Sequence, residues 1–84
     1  MISDRILEDL WDERERQEKL WSGEHSWGRG SCASPDLPNE VKSTVLNEEC
    51  GEVARAVLER SPNLRAELIQ VAAVAVAWVT AFDE

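Results

Sequence analysis

The chain has 84 residues, enough for one domain, and a domain of that size buries only ~60% of the surface its unfolded chain exposes. Seventeen acidic residues against nine basic leave a net charge of −8. That argues against nucleic acid and membrane as partners, because binding to either rests on lysine and arginine. Two cysteines, and a start at Met1-Ile2-Ser3-Asp4 that turns polar at once, carry neither a disulfide framework nor a secretory leader. The expected setting is cytoplasmic.

Residues 3–22 read as a first helix, with Ser3 as its cap and Asp4 in the first turn, where acids suit the helix dipole. Ile6, Leu7, Leu10, Trp11, Leu20 and Trp21 recur at helical spacing. Between them Asp12 to Lys19 is nearly all charged. It reads as a solvent face laced with pairs such as Glu15–Lys19, each worth only ~0.3 kcal/mol. Trp11, Arg14, Gln17 and Trp21 fall along one stripe, where aromatic rings, an amide and a guanidinium can stack on and hydrogen-bond a nucleobase. The plainer reading of such a stripe is core.

Residues 22–38 hold three glycines, two prolines and four serines without periodicity, and read as a loop. Its Trp27 and the only histidine, His25, lie beside Arg29, so the segment is either a linker or a lid whose His25 or Arg29 touches bound substrate. A phosphate-binding P-loop is excluded by the missing GK[ST] ending. Residues 39–60 read as a second helix capped by Asn39, with Cys50 on the side of Leu46, Val53 and Val57 as a small core residue. Gly51, costly inside a helix, suggests close approach of another helix.

Ser61-Pro62 marks a boundary, serine as cap and proline in the first turn, and residues 62–82 read as a third helix. Its Val71–Val79 run is too short for a bilayer, which needs ~20 residues. It is also apolar on every side, and such a helix must be covered on every side. A homo-oligomer, dimer or tetramer, is therefore expected. The tight turn makes helices two and three antiparallel. It brings Glu49 and Glu52 toward Glu67 and Gln70 with a mismatch of roughly one turn at 1.5 Å per residue, which an earlier start of the turn would remove.

Two acidic stretches organise the chain: Glu48-Glu49-Cys50-Gly51-Glu52, and Glu67-Leu68-Ile69-Gln70. Residues three apart share a helix face, and here those faces carry Val45 and Ala56, then Val71 and Val74. Carboxylates buried among apolar groups need a partner. With few cations nearby in sequence, a divalent ion is the economical one, and oxygen-only ligands select magnesium or manganese before zinc. The ordinary alternative is the solvated face of an amphipathic helix.

This string resembles the MazG-like all-α nucleoside triphosphate pyrophosphohydrolases, whose signature is EExxE followed on the next helix by ExxD. Glu48, Glu49 and Glu52 match the first half, Glu67 opens the second, and Gln70 stands in place of the aspartate. Arg16–Trp21 and Val71–Trp78 also look like the small phage-type members, so the resemblance covers most of the chain except residues 22–38. It implies an all-α fold, a three-helix protomer forming a helical bundle by homo-oligomerisation. It implies Mg2+-dependent (or Mn2+-dependent) hydrolysis of nucleoside triphosphates to monophosphate and pyrophosphate. Glu48, Glu49 and Glu52 would be catalytic, and Glu49, Glu52, Glu67 and Gln70 would hold metal, with Glu48 a further ligand or the base. Substrate would lie beside Trp11, Arg14, Gln17 and Trp21, with Lys19, Arg14 and Lys42 as candidate phosphate contacts. Gln70 removes one negative charge from the ligand set. The alternative is thus a weakened or inactive helical module that binds nucleotide or a protein partner. No Ser-His-Asp set, CxxC, HExxH or dinucleotide fingerprint supports another enzyme class.

Overall fold

The computed structural model describes residues 1–83. Helix α1 (Asp4–Trp21) is followed by a two-stranded hairpin, β1 (Glu24–His25) and β2 (Gly28–Arg29), and then by helices α2 (Asn39–Leu58) and α3 (Leu64–Asp83). Helix α1 starts as expected, the Ser3 hydroxyl accepting from the Ile6 N–H at 3.2 Å. The ion pairs on it are different ones. Glu15 accepts from the Trp11 indole at 2.8 Å, while Arg14 pairs with Glu18 at 3.2 Å and Arg16 with Glu13 at 2.7 Å. Gln17, in the middle of the charged run, is buried.

Helix α2 begins without a side-chain cap, its cap position being Pro38. Asn39 is the first helical residue instead, and its Oδ1 accepts from the Trp78 indole at 2.9 Å, tying the start of α2 to the end of α3. At the other end Arg60 takes the left-handed conformation, with φ 52. The Ser61 N–H reaches the Ala56 carbonyl at 2.9 Å, and the Arg60 N–H reaches that of Val57 at 3.2 Å. This is the Schellman closure, in which glycine is the usual left-handed residue. Arg60→Gly removes the Cβ penalty of that conformation and is expected to stabilise the fold by about 0.5–1 kcal/mol, read as a higher urea midpoint at unchanged slope.

Helix α3 starts two residues later than the Ser61-Pro62 boundary suggests, because the Ser61 hydroxyl accepts from the Asn63 N–H at 3.1 Å and holds 61–63 as a turn. The turn does begin before Ser61, since α2 ends at Leu58, and the acidic stretches come level. Helix α3 packs on both α1 and α2, whereas α1 and α2 do not pack closely on each other. Small side chains allow the approach: Ala73, Val74 and Ala77 of α3, with Ala56, Cys32 and Leu37, form the buried apolar set.

The outer side of α3 is uncovered, leaving Leu68, Val76, Val79 and Phe82 exposed. By length and composition the whole helix could cross a membrane, which its nine-residue apolar run alone could not. Cys50 is exposed rather than part of the core. A Cβ added at Gly51 would meet nothing within 4 Å, so no helix approaches there.

The segment 22–38 is built, not structureless. Glu24 pairs with Arg29 and His25 with Gly28 across the hairpin. At Gly28 (φ 142) a Cβ would lie 2.7 Å from the buried Leu37 side chain, and at Gly30 (φ 91) 2.8 Å from Ser34. Both positions need glycine for the backbone and for the closeness. They fold the chain back so that Cys32 and Leu37 join the core beneath the hairpin.

Candidate metal centre and adjoining recess

On α2 the residues facing α3 recur as Lys42, Val45, Glu49, Val53 and Ala56, a spacing of three and four that puts a carboxylate in the middle of the packed stripe. From α3, Glu67 answers it across the antiparallel pair. Glu49, Glu52 and Glu67 each bring one carboxylate oxygen within 4.8 Å of the other two. Glu49 and Glu67 are half-buried, and Glu52 is exposed. Glu49 Oε2 and Glu67 Oε2 are shielded from solvent and find no hydrogen-bond donor among the described residues.

Shielded carboxylate oxygens without donors are costly, and each such group calls for an explanation. Burial first, then the charge of Glu52, a hydrogen bond shared with it, and the charges of Glu67 and Glu48, push the Glu49 carboxyl up to about 7. The residues present fit a hard divalent cation. All three donors are carboxylates, and two have an oxygen with no other partner.

The raised carboxyl has a pH consequence whose sign is fixed. Between about 4.5, its ordinary value, and about 7, folded Glu49 holds a proton that the unfolded chain has released. Metal-free stability therefore declines as pH rises through that window and levels off above it. A cation competes with the same proton, so its affinity falls as pH drops below 7. Thermal melts across pH 5–8, with and without Mn2+, are expected to show both trends, and Glu49→Gln is expected to flatten the metal-free one.

Beside the carboxylates, the gap between α1 and α2 forms a recess of about 110 Å³. Arg14, Gln17 and Trp21 of α1 wall one side, Glu48 and Glu49 of α2 the other, and Trp27 borders it from the hairpin. Trp27 is held by His25, whose ring stacks on it at 5.1 Å and 12° and meets Trp21 edge-on at 5.4 Å. His25 Nε2 also lies 2.9 Å from the Trp21 carbonyl. Neither His25 nor Arg29 borders the recess, and exposed Arg29 pairs with Glu24 at 3.5 Å. Burial pushes the thiol of Cys32, another wall residue, up and away from the thiolate form.

Of the residues singled out in the sequence, Glu49, Glu52 and Glu67 come together, and Glu48, Arg14, Gln17 and Trp21 border the adjoining recess. Gln17 presents no free amide, because it donates to Glu13 at 3.2 Å and to the Gln70 carbonyl at 3.4 Å and accepts from Arg14 at 3.1 Å. Gln70 borders a second, open groove between α1 and α3. Trp11 is exposed and off the recess: each step of three residues turns 60° short of a full circle, so the stripe drifts around the helix. Lys19 is exposed and borders neither. Lys42 is buried at 2% exposure and borders a separate recess with Leu37 and Phe82.

Sequence reasoning missed Trp27 as a wall and Arg16 with Glu13 as a pair beside the acidic site. Glu13 and Arg16 sit at helical spacing within the charged run, and the amide at Gln17 breaking that run is the signal that it has an inner side. No family model, no curated protein and no solved structure matches the chain. Its function is therefore read from these residues.

Proposed function

We propose that this chain is a MazG-like, divalent-metal-dependent nucleoside triphosphate pyrophosphohydrolase. The observation that carries the reading is the trio Glu49, Glu52 and Glu67, with two solvent-shielded, donorless oxygens, set against a recess bordered by Trp21 and Trp27. Magnesium or manganese held there supplies charge neutralisation for the triphosphate in a protein that otherwise repels it. The recess offers the base two indole rings, and Arg14 a donor at its wall. Glu48 is exposed at the edge of the recess and in this reading is the base that accepts a proton from an attacking water.

The reading includes a homo-oligomer, dimer or tetramer, supported by the uncovered row Leu68, Val76, Val79 and Phe82 on α3. A second reading, a nucleotide-binding module without turnover, is favoured by one observation. Gln70, at the position of the motif aspartate, borders the groove on the α1 side, where its backbone carbonyl accepts from Gln17. The test is pyrophosphate release from a panel of canonical and modified nucleotides, with Mg2+ and with EDTA. Turnover that needs the metal and falls at least ~100-fold in folded Glu52→Gln, as loss of a group that acts on the transition state does, supports the enzyme. Nucleotide binding without release supports the module, and neither binding nor release rejects both.

A further inference from the structure

A strongly acidic site that handles a polyphosphate needs a protein cation close to its carboxylates, and the basic residues singled out in the sequence do not supply one freely. Lys19 stands exposed at the end of α1, Lys42 lies in a separate recess, and Arg14, at 16% side-chain exposure, has both terminal nitrogens engaged, by Gln17 and Glu18. Arg16 is differently placed. It is the residue that borders both the recess beside the carboxylates and the open groove between α1 and α3.

Its guanidinium is also oriented. Nε and Nη2 donate to the two oxygens of Glu13 at 2.8 and 2.7 Å, a fork-to-fork pair. Glu13 is itself held, at 10% side-chain exposure, because Gln17 donates to the same oxygen while reaching the Gln70 carbonyl of α3. That chain of contacts fixes the position of a side chain which is otherwise half exposed. Two of the five guanidinium N–H donors are used by Glu13, and the other three have no partner among the described residues. The charges of Glu49 and Glu52 reach Arg16 and add to the Glu13 bond in holding it protonated.

We infer that Arg16 is the phosphate-contacting cation of this site, with Glu13 as its positioning residue. The inference rests on the metal-dependent nucleotide reading above. Planar, permanently charged and carrying three unused donors, Arg16 matches the bidentate geometry of a phosphate. Glu13 occupies one edge of the guanidinium and leaves the other three donors unpartnered among the described residues.

The test uses the full chain with Mn2+ and inorganic tripolyphosphate as probes, so it is independent of turnover. Calorimetry first measures Mn2+ alone, then tripolyphosphate on the Mn2+-loaded protein. Arg16→Gln is expected to bind Mn2+ as tightly as wild type or tighter, since a positive charge beside the ligands is gone. It is expected to lose about tenfold or more in tripolyphosphate affinity. Arg16→Lys recovers part of that loss, because the charge returns without the fork. Glu13→Gln weakens tripolyphosphate by a few-fold, and its effect vanishes when combined with Arg16→Gln, as a role exercised only through Arg16 requires. Tripolyphosphate binding to Arg16→Gln at wild-type affinity, with Mn2+ binding intact, overturns the inference and leaves the metal site standing. Failure of wild-type protein to bind Mn2+ overturns the metal reading itself, before tripolyphosphate is added.

Discussion

Glu49→Gln is expected to raise the melting temperature of the metal-free protein and to abolish its divalent-metal binding. Three carboxylates crowd the α2–α3 seam, and burial together with the charges of Glu52, Glu67 and Glu48 already drives Glu49 toward its neutral form. An amide of the same shape removes that repulsion and adds two donors beside Glu67, whose Oε2 has none. Solvent screens part of the repulsion, because Glu49 is only half-buried. A rise of about 5 °C is the expected size, equivalent to about 1 kcal/mol in a domain of this length. Metal affinity moves the opposite way, since a central anionic ligand is lost. A gain in stability with a loss of binding is the mark of a site strained for function. An ordinary solvated glutamate would show neither.

Gln17→Leu is expected to destabilise the fold strongly. The side chain is 6% exposed and makes three hydrogen bonds, to Glu13, to the Gln70 carbonyl and from Arg14. Leucine fills a similar volume but takes one hydrogen bond each from Glu13, Arg14 and the Gln70 backbone carbonyl. Three hydrogen bonds, each contributing roughly 0.5–1.5 kcal/mol net, make a loss of about 2 kcal/mol, a drop of roughly 10 °C for a chain of this length. Differential scanning calorimetry at pH 7 measures it. A shift within ~2 °C, about the effect of an exposed substitution, would show that these contacts carry little of the α1–α3 packing. The same variant loosens Arg14 and Glu13, so under the proposed nucleotide reading its recess binds nucleotide more weakly even where it remains folded.

The three helices were legible because each announces itself locally. Ser3 caps the first, Ile6, Leu7, Leu10 and Trp11 set its period, and Ser61 with Pro62 marks the break between the last two. The acidic trio was legible for the same reason, since Glu49 and Glu52 at a spacing of three need only one partner stretch across a short turn. What depended on long-range packing was hidden. The strands of the hairpin are two residues long, too short for alternation to show, and what makes the segment fold is the positive φ of Gly28 and Gly30 against Leu37 and Ser34. Cys50 shares a helical direction with apolar residues, yet it is exposed, as is Val57. Trp11 follows the spacing of the stripe, but the drift of the helix carries it away from the recess.

Arg16 and Glu13 were hidden differently. Within a run of eight residues from Asp12 to Lys19, almost all charged, any pair can be written as a surface ion pair. Only the burial of Gln17 between them, and the approach of α3 at Gln70, gives that stretch an inner edge. Side chains in such a run acquire roles from the elements they meet, and a single sequence does not record those meetings.

A metal centre at the α2–α3 seam is open to a direct test, a titration of the 15N-labelled protein with Mn2+ followed by amide NMR. Paramagnetic broadening at substoichiometric metal, strongest at Glu49, Glu52 and Glu67 and their helical neighbours and lost in Glu67→Gln, is the predicted result. Broadening that is diffuse over the acidic surface, or unchanged by Glu67→Gln, would contradict a metal centre at this site.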